Sequence, residues 1–375
     1  MHHFEMIDLE CYSPGTARQL AVHRFGEAGA APKVYIEAGI HADELPANLV
    51  ACHLVKRLMA AAEDGTITGE IIVVPQANPI GVSNVSGNVL MGRYHIQSGQ
   101  NYNRHWPDVS AAALAACDGK WRGEKDQDTK VLRDGIASAL DAVTPGNEAE
   151  ALRLRLMKLA FDADIVLDLH TDSEAELHLY ADPDHAETAQ QLAGLIGAPI
   201  IMYARTSGNG PFEETCALPY VRAREGGHDV ALPFTTVIEL RGERDVSDDL
   251  ADADAAAIVR FLTAHGVISG DAGALPGFDG IAANFAATQL VTAPAAGIIV
   301  FKREVGAMVE AGDVLAEIVN PLVAHDTAPV AVRAETDGRF FARTSERIAW
   351  PGSMLGKVHG HNPLAGREEG ALLYD

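Results

Sequence analysis

Through the first two thirds of the chain, short apolar runs alternate with longer stretches of helical periodicity. Residues 34–36 read as a strand. Residues 45–59 read as a helix, with Val50, Leu54 and Leu58 at helical spacing against Leu49, His53 and Lys56, and Pro46 in the first turn. Residues 71–74 predict the next strand. A polar stretch over 76–108, rich in Asn, Gly and Ser, has no such period, and long loops of this kind commonly carry function. Residues 151–160 predict a helix, 165–167 a buried strand, and 237–240 another strand. Residues 186–196, 212–225 and 250–265 are further helical candidates. Strands alternating with helices predict an α/β layer.

The pattern changes after Gly266. Asp271-Ala272-Gly273-Ala274-Leu275-Pro276-Gly277 reads as a linker, and beyond it short strands dominate. An internal repeat appears there. Ala293-Pro294-Ala295-Ala296-Gly297 matches Ala334-Glu335-Thr336-Asp337-Gly338, and Ala311-Gly312-Asp313-Val314-Leu315 matches Pro351-Gly352-Ser353-Met354-Leu355. The expected organisation is an α/β domain over 1–270, a linker over 271–288, and a small two-fold β-sandwich with a tail over 289–375. The first copy, Gly297 to Ile318, resembles a biotinyl/lipoyl half-barrel. The link over 320–329, where such a carrier places its modifiable lysine, contains no Lys, so a covalently attached biotin or lipoate is not expected.

Charge narrows the partners. Lys plus Arg number 29 and Asp plus Glu 52, a net charge of −23, which argues against nucleic acid and anionic membranes. Any positive group that meets an anionic substrate must therefore be local. Cys11, Cys52, Cys117 and Cys216 form no CxxC pair and fit a reducing compartment. Met1-His2-His3-Phe4-Glu5 is not a secretory leader, and no apolar run is long enough to span a bilayer. A cytoplasmic protein is expected.

The candidate chemistry sits at strand ends. Gly39-Ile40-His41-Ala42-Asp43-Glu44 follows the strand at 34–36, and Asp168-Leu169-His170-Thr171 follows the one at 165–167. His41 and Glu44 are three apart where a loop enters a helix, so one cation can reach both. With His170 they make two imidazoles and a carboxylate, a set suited to a catalytic zinc with an open position. The bland alternative for an isolated HxxE is a pair of unrelated surface residues. Asp168 shares a strand face with His170 and can stand behind it, or it is an ordinary strand-end acid paired elsewhere. Glu239 closes a third strand and offers the general base a zinc hydrolase needs. Arg93, in the long polar loop, is a second candidate for a substrate cation, against a plain surface arginine. No GxSxG serine or P-loop lysine is present.

Taken together, Gly39–Glu44, Gln100-Asn101-Tyr102-Asn103-Arg104-His105-Trp106-Pro107 and Asp168-Leu169-His170 resemble the succinylglutamate desuccinylase/aspartoacylase family, a branch of the carboxypeptidase A-type zinc hydrolases. Asn78-Pro79-Ile80-Gly81 and Ile238-Glu239-Leu240 fit its pattern too, and a C-terminal β-domain is typical of it. The resemblance implies a zinc carboxypeptidase-like fold, with a mixed central sheet flanked by helices. It implies one Zn(2+) per chain, held by His41, Glu44 and His170. It implies that Glu239 activates water and protonates the leaving amine, that Arg104 polarises the scissile carbonyl or grips a substrate carboxylate, and that Asn103 beside it is a substrate contact. Ala42 stands where Gly is commoner. Arg241-Gly242 follows Glu239 where small residues are more usual, which adds Arg241 as a substrate contact. The expected activity is zinc-dependent removal of an acyl group from a small N-acyl amino acid. A metallocarboxypeptidase acting on short peptides stays open. So does a non-catalytic zinc-binding or assembly protein, with the β-domain as working part or as a homo-oligomer contact.

Overall fold

In the computed structural model, which describes all residues except 12, 323, 325, 326, 369 and 373–375, a nine-stranded sheet forms the centre of the molecule. Its strand order is His2–Leu9, Arg18–Phe25, Glu70–Val74, Lys33–Ala38, Ile165–Asp172, Phe234–Gly242, His178–Ala181, Ile200–Tyr203 and Ile281–Asn284. The sheet is mixed: the neighbours around Lys33–Ala38 and Ile165–Asp172 run parallel, while His2–Leu9 and Arg18–Phe25 form an antiparallel margin.

Alternation along the strands builds two apolar layers. Val34, Ile36, Ile71, Val73, Leu167 and Leu169 face the helices Leu45–Glu63, Ala186–Ile196 and Asp248–Ala264. Tyr35, Ile72, Val74 and Val166 face Ser110–Cys117, Lys125–Asp141, Glu148–Ala160 and Phe212–Glu225. Successive side chains of a strand point to opposite faces, so a strand covered on both sides must be apolar throughout. Helices 186–196 and 212–225 have the bounds the periodicity predicts. The stretch over 76–108 is mostly loop, with one 3-10 turn at Gly81–Ser83 and a two-residue hairpin, Val85–Ser86 with Val89–Leu90.

The stretch expected to be a linker is in part a strand. Ile281–Asn284 pairs in parallel with Ile200–Tyr203 and closes the large sheet. Its apolar character is too short to register a period, and only the exposed sheet edge makes it a strand.

The repeat beyond it separates into two sheets. Gly297–Phe301 pairs with Val314–Val319 in one, and Gly338–Arg343 with Met354–His359 in the other. Leu315 and Leu355, equivalent in the two copies, are buried in a shared core with Ile318, Phe340 and Val358. Gly312 and Gly352 turn the two hairpins with φ of 96° and 87°, where a side chain would be strained. The link over 320–329, expected to hold no attachment lysine, includes residues 323, 325 and 326, which lie outside the described residues.

This β-region is seated directly on the large sheet. Glu174–Ala175 pairs with Gly338–Arg343, only a few residues after His170. Arg339 bonds Glu176, and Arg343 and Arg347 both bond Glu174, each at 2.6 Å. Lys357 closes the row on Asp172. No helix among the described residues is long and apolar enough to cross a membrane.

Candidate metal centre and active site

The central parallel strands bring the predicted groups to one edge of the sheet. Glu37 is opposite Asp168, and Glu239 is opposite His170. Gly39 has φ of 75°, and a Cβ there would collide with the side chain of Asn48, so glycine is needed to turn the chain toward His41. Glu44 precedes the helix Leu45–Glu63 but makes no capping bond, because its carboxylate turns to the histidines instead.

His41, Glu44 and His170 are all buried, and their ligand atoms lie within 4.8 Å of one another. Glu44 Oε1 is 2.8 Å from His41 Nδ1, and Glu44 Oε2 is 2.8 Å from His170 Nδ1. The far nitrogens decide the tautomers. His41 Nε2 is 2.8 Å from Asn101 Oδ1, an oxygen that also accepts from Asn103 N at 2.9 Å. His170 Nε2 is 2.9 Å from Asp168 Oδ2. With a neutral ring whose Nε2–H donates outward, each Nδ1 is left facing a carboxylate oxygen of Glu44. The Arg93 guanidinium, with Nη1 3.2 Å from His41 Nδ1 and 2.9 Å from Glu44 Oε1, brings positive charge to this group, and a cation on the Nδ1 atoms would do the same. This donor set fits a divalent metal on the Nδ1 atoms of both histidines and the carboxylate of Glu44.

A carboxyl network backs the centre. Tyr35 donates its hydroxyl to Glu37 Oε2 at 2.5 Å. Burial first, and then the nearby Asp168, hold Glu37 well above the usual carboxylate range. Asn103 spends its side chain on the protein: Oδ1 accepts from Trp106 Nε1 at 2.8 Å and Phe212 N at 3.0 Å, and Nδ2 reaches Asp168 Oδ2 at 3.4 Å. It braces His170 from behind and also lines the cavity, where sequence reasoning assigns it to the substrate.

The centre opens into a cavity of about 850 Å3. Arg93, Arg104 and Glu239 line it. Arg93 Nη1 donates to Glu44 Oε1 at 2.9 Å, at the metal end. Its loop comes this close because Gly92 packs on the backbone of Ala42 and Asp43, leaving no room for a Cβ. Arg104 donates to its neighbour's carbonyl, Asn103 O, at 2.7 Å. Glu239 Oε2 has no hydrogen-bond partner among the described residues. Burial, reinforced by Glu44, pushes the Glu239 carboxyl up to about 8.

Arg241 is not brought to the cavity. Its guanidinium makes two bonds to Asp254, at 2.7 and 3.0 Å, on the far helix Asp248–Ala264. The pairing register slips between Glu239 and Gly242, and Arg241 has φ of 67°. A regular strand would point residues 239 and 241 the same way; the bulge turns Arg241 to the other face.

Several residues that sequence reasoning misses help build the site. Arg153, almost wholly buried on the helix Glu148–Ala160, donates to Arg104 O at 3.0 Å, Asn101 O at 3.3 Å and Gln100 Oε1 at 3.1 Å, clamping the loop that carries Asn101, Asn103 and Arg104. An arginine among Leu152, Leu154 and Leu156 is the available signal. Glu213 lines the cavity with Oε2 unpartnered among the described residues; burial and then Glu214 raise its pKa to about 8. Lys357 enters the cavity from the C-terminal β-region. Burial opposes its charge, but Asp172 outweighs this and holds the ammonium above the ordinary lysine range. Nothing local in the sequence marks either residue.

Fold and site together define an α/β protein with a buried His–Glu–His group able to hold a metal at the mouth of its central sheet. Residues 30–129 match the family model described as the succinylglutamate desuccinylase/aspartoacylase catalytic domain. A succinylglutamate desuccinylase/aspartoacylase family protein from Shewanella amazonensis has a similar structure, with 25% identity and a TM-score of 0.81 over 96% of this chain and 98% of its own. A Shewanella frigidimarina protein assigned to the same group shares 24% identity, with a TM-score of 0.83 over 96% and 97%. The product-bound ectoine utilization protein EutE (DoeB) from Ruegeria pomeroyi shares the fold at 17% identity, with a TM-score of 0.65 over 96% and 95%. A comparison with curated proteins gives no match. The resemblance read from the motifs is borne out: the family on which the comparisons converge is the succinylglutamate desuccinylase/aspartoacylase hydrolases.

Proposed function

We propose that this chain is a zinc-dependent amidohydrolase that removes the acyl group from an N-acyl amino acid or a similar small amine. The observation that carries the reading is the convergence of His41 Nδ1 and His170 Nδ1 on Glu44, beside a Glu239 oxygen with no hydrogen-bond partner among the described residues. Bound by His41, Glu44 and His170, zinc would supply a Lewis acid that polarises the scissile carbonyl and acidifies water.

The remaining chemistry belongs to the chain. Glu239 takes a proton from the attacking water and returns it to the leaving nitrogen, which turns a poor leaving group into a free amine. Glu239 lines the cavity opposite His170 in the strand pairing, a position suited to both halves of that transfer. Arg93, fixed on Glu44, presents positive charge where the carbonyl oxygen becomes negative. Arg104 and Lys357 are the further cations for a substrate carboxylate, and Arg104 can bind one through two hydrogen bonds.

The test is metal content by elemental analysis, with hydrolysis of N-acetyl-, N-succinyl- and N-formyl-amino acids and of dipeptides before and after chelation. About one zinc per chain with chelator-sensitive release of one acyl class supports the reading. Cleavage of dipeptides alone would make the chain a metallocarboxypeptidase, and absence of bound metal after reconstitution would overturn the assignment of His41, Glu44 and His170.

A further inference from the structure

The cavity is far larger than its polar end requires. At about 850 Å3 it lies near the top of the range, about 300–1,000 Å3, that encloses drug-sized ligands. The metal group, Arg93, Arg104, Glu239 and Lys357 account for the polar end. Much of the remaining lining is apolar and comes from separate parts of the chain. Leu218 and Val221 come from the helix Phe212–Glu225, and Leu290, Ile348, Trp350 and Met354 from the C-terminal β-region.

Three of these side chains are unusually open. Ile348 is 60%, Trp350 59% and Met354 48% exposed, and all three line this cavity. Tyr94, 42% exposed, joins them from the long loop beside Arg93. Exposed apolar residues scattered singly need no explanation, but a group gathered on one concave wall marks a binding surface. Charge further limits the occupant. Glu225, Glu243 and Glu346 also line the cavity, and the lining cations Arg205 and Arg222 are paired with Asp184 and Glu225, whereas the positive charge of Arg93 stands on the metal group. An occupant with its polar head at the metal and a neutral, apolar far end suits this distribution.

Building on the amidohydrolase reading, we propose that the substrate is an amphiphile: an N-acyl amino compound bearing an extended apolar chain that lies along the wall formed by Leu290, Ile348, Trp350 and Met354. The β-region is then the part of the enzyme that selects chain length. The chain can belong to the acyl group or to the amine, and these sources are separable by experiment.

Two substrate series would be compared on the full chain. One lengthens the acyl group of an N-acyl-glycine from acetyl to dodecanoyl; the other keeps N-acetyl and lengthens an alkyl side chain on the amino acid. Dissociation constants would be measured on metal-free protein by calorimetry and by Trp emission, and kcat/KM on the zinc-loaded protein. In one series Kd should fall about fourfold per methylene until the wall is covered. The emission should shift to the blue through Trp350, and Trp350→Ala and Met354→Ala should flatten the slope. Met308→Ala, exposed on a strand away from the cavity, is the control and should leave the slope intact. Whichever series carries the slope identifies the side of the amide that bears the chain. Flat Kd values in both series, with short substrates still hydrolysed, would overturn the chain-length inference and leave the amidohydrolase standing. A clear slope in binding with no member hydrolysed would keep the apolar wall and overturn the proposed reaction.

Discussion

The two ends of the cavity are built on opposite principles. At the metal end the groups are set by named partners: His41 Nε2 by Asn101, His170 Nε2 by Asp168, Glu44 by Arg93 and the backbone of Thr171, and the Asn101–Arg104 loop by the buried Arg153. At the outer end, Ile348, Trp350 and Met354 are open and make no comparable network. The difference separates chemistry from selection. Reacting groups need fixed positions, because a small displacement in a site of this kind costs large factors in rate. An apolar wall needs only area, so it tolerates exposure and variation.

The largest expected effect is at the fixed end. Glu239→Gln should lower kcat by about 10²- to 10⁴-fold while leaving metal stoichiometry unchanged. Near-normal turnover in that variant would assign proton transfer to another group, with Glu213 and Glu243 next in line. Arg93→Lys and Arg104→Lys then divide the cations. If Arg93 faces the developing oxyanion, its replacement should cost about 10²- to 10³-fold in kcat, and that of Arg104 should act mainly on KM. The reverse split would exchange their roles.

A smaller effect tests the seam between the two ends. Lys357→Met leaves the half-buried Asp172 without its ion partner and should destabilise the fold by about 1–2 kcal/mol. A compensating Asp172→Asn in the same chain should recover most of that stability. If substrate affinity stays low in the double variant, Lys357 touches substrate as well as bracing the seam; recovery of both would make it purely structural.

A further effect, on stability alone, is a pH dependence. His359 and His178 lie where the β-region meets the large sheet, and burial lowers them to about 3 and about 4. His178 and His361 add positive charge facing His359, while Asp172 and Lys357 act in opposite senses on His178. Each folded-state value is below the unfolded value near 6.5, so the unfolded chain binds the extra proton in between. Stability is full above about 6.5 and falls with acidification at up to about 1.4 kcal/mol per pH unit for each histidine. Thermal melts between pH 7 and 4 should show the loss, and His359→Gln should make it shallower. An unchanged pH slope would mean that His359 is not the titrating group.

Much of the site is legible in the sequence because it consists of short segments at strand ends. The apolar runs at 34–36, 165–167 and 237–240 locate His41, His170 and Glu239, and parallel pairing of adjacent strands then makes them neighbours. The three-residue spacing of His41 and Glu44 is local information. Arg241 reads as a substrate contact because strand periodicity carries no sign of a bulge, and the slip that turns it toward Asp254 appears only in the pairing. Asn103 also reads as a substrate contact, and only the fold shows that its amide is bonded to Trp106, Phe212 and Asp168 as well.

The chain by itself determined four strands at the centre of the large sheet, most of the helices, the repeat in the C-terminal region and the residue types of the metal group, since these follow from periodicity and short-range spacing. Tertiary structure alone decided what stands around that group. Arg153, Glu213 and Lys357 reach the site from elements remote in sequence, and Trp350 and Met354 meet Tyr94 across a cavity that exists only when the β-region is seated on residues 172–176. Long-range packing brings such residues together, and no local pattern records it.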